Sequence, residues 1–187
     1  MFSDDLKRST ATAHLELEKK MIPHLKKISA ETHYIRLLEY LHSYYELLDK
    51  QLQPWLHIDG RIPDAERIKN DLNQLQPGYP IHRYANVIVP VVDSSEKALG
   101  VLYVLEGSTL GGQIIKGMLT KQLGSINAGA FTYYNPYGES TNEKWKEFRE
   151  HLNQPLTEEQ QREVIAGANE TFETLKRWIS DYGSVEA

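Results

Sequence analysis

Residues 99–115 read LGVLYVLEGSTLGGQII, an apolar run carrying three glycines within six positions. Asp93, Ser94 and Ser95 stand just ahead of it as N-cap candidates. The pattern predicts one long helix from there to about Leu123, with Gly107, Gly111 and Gly112 inside it. An interior helical glycine costs about 1 kcal/mol relative to alanine, so three together require a reason. A kink is one. Close approach of the backbone to something flat or bulky is another, because glycine has no Cβ in the way. A large planar cofactor lying on the helix satisfies both. Tight helix–helix packing, or a helix end at Gly111-Gly112, satisfies the spacing as well, and spacing alone does not choose among them.

Working outward, the flanking segments are also helical. Over residues 4–20, Leu6, Thr10, His14, Leu17 and Met21 recur on one face. A second helix is expected over residues 30–53, stopped by Pro54. A third runs over 63–76, before Pro77-Gly78. ANVIVPVV at 85–92 is β-branched enough for a strand, but no partner strand is visible, so it reads as a buried connector or short helix. Residues 133–138 form an aromatic loop. Two helices, 141–153 and 157–181, close the chain, the second opened by a capping box at Thr157–Gln160. The expected fold is all-α: a multi-helical bundle forming a single domain over residues 1–187.

Composition narrows the chemistry. The chain has 187 residues, 40% hydrophobic and 25% charged, with a net charge of −5. No global basic field invites nucleic acid. Cysteine is absent, which removes thiolate nucleophiles, Fe–S ligation and disulfide scaffolds. The opening MFSDDLKRST lacks the apolar core of a signal peptide, and no apolar run is expected to span a bilayer. A cytoplasmic monomer without a membrane partner is the expectation.

His14 is the candidate metal ligand, set on the apolar face of the first helix. A hydrogen-bonded core histidine is the plainer alternative. Glu18, one turn on, is placed to orient the imidazole. Lys7, two turns before, is placed to pair with an anionic edge of a ligand held by His14. His24, His33, His42, His57, His82 and His151 form no ligand pattern.

LKRSTATAHLELE (6–18) resembles the proximal-helix signature of the haem oxygenases, and LGVLYVLEGSTLGGQII resembles their distal helix in its bacterial, biliverdin-producing form. FTYYNPYG (131–138), KWKEFREHLN (144–153) and TFETLKRW (171–178) resemble the family's C-terminal part, so the likeness covers nearly the whole chain. It implies haem sandwiched between a proximal N-terminal helix and a kinked, glycine-rich distal helix. His14 becomes the iron ligand, with Glu18 beside it. Lys7 and Tyr103 become propionate contacts. Arg149, with Lys146 as runner-up, meets the other propionate. Gly107, Gly111 and Gly112 become the distal glycines. Ser108 stands where mammalian members carry an aspartate, which leaves open what organises the distal waters.

The activity implied is cleavage of haem to biliverdin, carbon monoxide and iron, using O₂. Electrons come from an external donor protein: a ferredoxin, flavodoxin or reductase. Three rivals stand beside it. One is a haem-binding or haem-sensing module without turnover. The second is a two-metal protein of the same architecture, although the repeated Glu-x-x-His pairs are missing. The third is a plain helical interaction module.

Overall fold

The computed structural model describes residues 1–55 and 61–185, and among these only helices and connections occur. The helices are α1 (Phe2–Lys27), α2 (Glu31–Leu52), α3 (Asp64–Leu75), α4 (Ser95–Leu123), α5 (Thr141–Leu152) and α6 (Glu158–Val185). His57 lies outside the described residues.

Local signals set most boundaries. Ser94 caps α4 by accepting a hydrogen bond from the Lys97 amide at 3.1 Å. Thr157 and Gln160 bond each other's backbone amides at 3.2 and 3.0 Å, completing the capping box of α6. α1 is longer than periodicity suggested, since it runs through Pro23 to Lys27. A proline there costs a hydrogen bond near the frayed end of a helix already held by its buried face. α6 likewise runs past Asp181 to Val185.

Residues 85–92 depart from expectation. They form neither a strand nor a helix but an extended connector lying along α2. Side chains of α2 take the place of a partner strand. Just ahead of the stretch Glu39 accepts from the His82 amide at 2.7 Å and Ser43 from the Tyr84 amide at 3.0 Å, and at its end Gln51 accepts from the Val92 amide at 3.5 Å. The connector is only partly buried, because Ile88 and Val91 face solvent.

The core is built on α2, α4 and α6. Tyr40 stacks on Trp178 with centroids 4.2 Å apart, and each donates to the other's backbone carbonyl. α4 meets α6 closely enough to demand small residues. A Cβ on Gly100 would lie 2.1 Å from the Val164 carbonyl oxygen, and one on Gly167 would lie 2.4 Å from that of Lys97. By length and composition α4 would also pass for a membrane span, its 18-residue window having a mean hydropathy of 1.3, contrary to expectation. Half of that window is packed inside the fold.

Candidate functional site

α1 and α4 each pack along α6 but scarcely on each other. They approach at two levels. Near their N-terminal ends, the Tyr103 phenol of α4 lies beside the Thr10 hydroxyl of α1. At the far ends, Gln122 donates to the Lys26 and Leu25 carbonyls at 3.1 and 3.4 Å, satisfying terminal acceptors of α1. His14 and Glu18 lie on α1 between these two levels, and Gly107, Ser108 and Gly111 lie on α4 between them.

His14 is more exposed than its place among apolar neighbours suggested: 56% of its side chain faces solvent. It sits at the rim of the buried face, not within it, with its ring 5.4 Å from that of Phe172 on α6. Glu18 Oε1 stands 3.4 Å from one imidazole nitrogen. That carboxylate is placed to fix the ring while the other nitrogen stays available to a metal. Lys7 is exposed on the same side of α1.

The three distal glycines do different things. α4 is unbroken through them, which removes a helix end as their explanation. A Cβ on Gly107 would touch the Trp145 ring at 3.4 Å. Gly111 is exposed, and a Cβ there would meet nothing within 4 Å. On Gly112 a Cβ would fall 1.9 Å from the Tyr134 carbonyl oxygen. Packing against the 131–138 loop therefore accounts for Gly112, which turns away from the open face expected of it. Gly111 leaves the α4 backbone bare to solvent. Ser108, also exposed, donates its hydroxyl to the Leu105 carbonyl at 2.7 Å and keeps lone pairs to accept from water.

Tyr103 is half-buried beside Trp145, with ring centroids 5.7 Å apart. Burial pushes its phenol above the usual value, while the neighbouring Thr10 hydroxyl and the Arg149 charge hold it back. It is a neutral donor at physiological pH. Arg149 is less free than expected, for its guanidinium reaches Asp4 and Ser3 at 3.2 Å each. Those contacts tie α5 to the start of α1, and a ligand anion would have to compete with Asp4. Lys146 is the freer cation, with only a 3.9 Å approach to Glu150. Trp145 and Phe172 carry no signal of a site role in the sequence, and Thr10 reads there only as part of the inward face of α1. Trp145 precedes Arg149 by one turn, the only local sign that it shares that face.

A buried polar network backs α4 at the level of Gly107. Glu106 accepts from Arg61 Nε at 2.7 Å and from the Tyr137 hydroxyl at 2.8 Å. Arg61 also binds Asp64, which pairs with Arg67 at 3.3 Å. Asp49 adjoins the cluster and accepts from the Ala65 amide at 2.8 Å, while its Oδ1 has no partner. Burial, then the Asp64 charge, pushes the Asp49 carboxyl up to about 6. The folded state thus holds this proton more tightly than the unfolded chain. Its contribution to stability is present at low pH and is lost as pH rises from about 4 to 6. Asp49→Asn should make that decline shallower and raise stability at pH 7.5 by about 1–2 kcal/mol. Melting curves at pH 4.5 and 7.5 test this; an unaltered decline would reject it. Asp71, pushed to about 6 mainly by burial, keeps part of the slope in the variant.

The family model described as heme oxygenase matches residues 1–181. A heme oxygenase of Xanthomonas campestris pv. campestris is 34% identical over 155 residues, covering 78% of this chain and 87% of that protein. Two solved structures share the fold. The NO- and CO-bound heme oxygenase from Neisseria meningitidis has TM-score 0.78 and 23% identity, covering 98% of this chain and 92% of that one. A heme oxygenase-1 from the cyanobacterium Synechocystis, in complex with heme, has TM-score 0.76 and 15% identity, with 98% and 93% covered. Helix order, the glycine-bearing α4 and the whole-length match agree: the chain belongs to the haem oxygenase family.

Proposed function

We propose that this protein is a working haem oxygenase that opens haem to biliverdin, carbon monoxide and iron, using O₂ and external electrons. The observation that carries the reading is what α1 and α4 leave exposed between the Thr10–Tyr103 and Lys26–Gln122 contacts. His14 with its carboxylate lies on α1, and bare backbone at Gly111 lies on α4. A flat, metal-centred ligand fits those donors: an imidazole for the iron and no side chain at Gly111.

The iron and ring supply the oxidative chemistry. The chain's residues bind and orient. His14 ligates, and Glu18 holds the imidazole. Lys7 and Tyr103 hold propionate, with Arg149 or Lys146 at the other carboxylate. Ser108, its hydroxyl hydrogen committed to Leu105, accepts a hydrogen bond from water near the open face. Electrons come from a donor protein such as a ferredoxin, flavodoxin or reductase, since the chain has no cysteine to hold an iron–sulfur centre. The protein acts as one haem oxygenase-like domain, a monomer in the cytoplasm.

An absorption spectrum with added haem, before and after ascorbate in air, tests the reading. Turnover bleaches the Soret band and yields a bilin spectrum. A stable Soret band under both conditions would leave only a haem-binding module.

Lys7→Ala should weaken haem binding roughly tenfold to a hundredfold, the worth of one charge-assisted contact, or shift the biliverdin isomer ratio. Affinity by haem titration and isomers by chromatography check it. If both match the parent, Lys7 has no such role.

A further inference from the structure

α4 raises a question that burial does not answer. Apolar side chains surround it: Leu102, Val104 and Leu105 are buried, while Ile114 is 77% exposed. A helix that is apolar all round gains similar burial at several rotations about its axis. The close-packed glycines, Gly100 and Gly112, permit the observed rotation but attract nothing. Glu106 differs from every other charge on α4, being mid-helix and nearly fully buried. Each of its oxygens has its own partner, Arg61 on one side and Tyr137 on the other. The side chain of Arg61 is 1% exposed, so the pair is fully inside the protein.

We propose that Glu106, gripped by Arg61 and Tyr137, is the positioning residue that selects the rotation of α4. It thereby decides that Ser108 and Gly111 stand exposed while Gly107 faces Trp145. The physical basis is the asymmetry of buried ion pairs. Desolvation cancels most of their net stabilisation, but any rotation that separates the partners strands a charge in the interior. Apolar burial is available at several rotations and the close-packed glycines only exclude those that clash, whereas this pair attracts one of them. The consequence for turnover rests on the haem oxygenase reading; the consequence for the helix does not.

The test uses the full chain with charge-balanced Arg61→Met/Glu106→Met, labelled with 5-fluorotryptophan. The Trp145 ring lies on Gly107, and its fluorine resonance, assigned with Trp145→Phe, reports α4 rotation in haem-free protein. Trp178, held by Tyr40 on α6, serves as the internal reference. The melting temperature should stay within about 5 °C of the parent or rise. The Trp145 line should move or split while that of Trp178 stays, and added haem should give an altered biliverdin isomer ratio. A folded variant whose Trp145 line matches the parent overturns the proposal. Should the double variant not fold, Glu106→Gln, which keeps the shape and a carbonyl for Tyr137, is read by the same line. A moved line in a protein that never degrades haem would uphold the positioning role and reject the enzymatic reading instead.

Discussion

His14→Ala should leave the fold standing and abolish haem degradation. The side chain is more than half exposed, and its one close ring neighbour is Phe172 at 5.4 Å. Truncating an exposed helical residue to alanine changes stability by about 0.5 kcal/mol or less. The loss therefore appears in function. Without the imidazole, no other imidazole stands on α1 between Lys7 and Glu18, its flanking polar groups. Biliverdin formation should fall at least about a hundredfold, more than the tenfold to hundredfold usual when a ligand's orienting partner is removed. Glu18→Gln belongs in that smaller range. Free imidazole should restore part of the activity by entering the space the side chain leaves. Soret spectra and single-turnover assays measure all three. A variant that binds and degrades haem like the parent would remove His14 from the site.

Alanine at the neighbouring glycines 111 and 112 should act in opposite directions on the haem-free protein. At Gly112 the new Cβ would sit 1.9 Å from the Tyr134 carbonyl oxygen, with the Tyr134 carbonyl carbon at 2.9 Å. That neighbour is backbone and cannot swing away, so α4 or the 131–138 loop must move. The cost should reach about 3 kcal/mol, the upper end for overpacking. In a chain of this size it lowers the melting temperature by roughly 6–12 °C. At Gly111 nothing lies within 4 Å, so alanine should gain up to about 1 kcal/mol of helix propensity. That raises the melting temperature by roughly 2–4 °C. The added methyl would project from the open face, so haem affinity or biliverdin yield should fall even as the apo protein becomes more stable. Melting curves with and without haem, beside one turnover assay, separate the two sites. Equal destabilisation at both positions would mean that packing explains both glycines.

The sequence by itself determined the helices, because their signals are local. Thr157–Gln160 and Ser94 carry their own capping partners within three residues, and a 3.6-residue period is visible in any window of α1 or α2. It also determined the family, since the motifs around His14 and Gly107 are contiguous. The 85–92 connector stayed ambiguous because the hydrogen-bond partners of its two ends, at Tyr84 and Val92, sit on α2, some forty residues away. Tertiary structure alone decided the surroundings of each candidate site residue. Whether His14 is buried depends on where α6 lies, not on its own turn of helix. Identical glycines at 111 and 112 diverge because adjacent helical positions point about 100° apart, one toward open space and one onto the Tyr134 carbonyl. Arg149 is claimed by Asp4, 145 residues away, and Glu106 by Arg61 and Tyr137. Such pairings join distant parts of the chain, and composition and periodicity carry no record of them. They arise only when packing removes water and leaves each buried charge to find its counterpart.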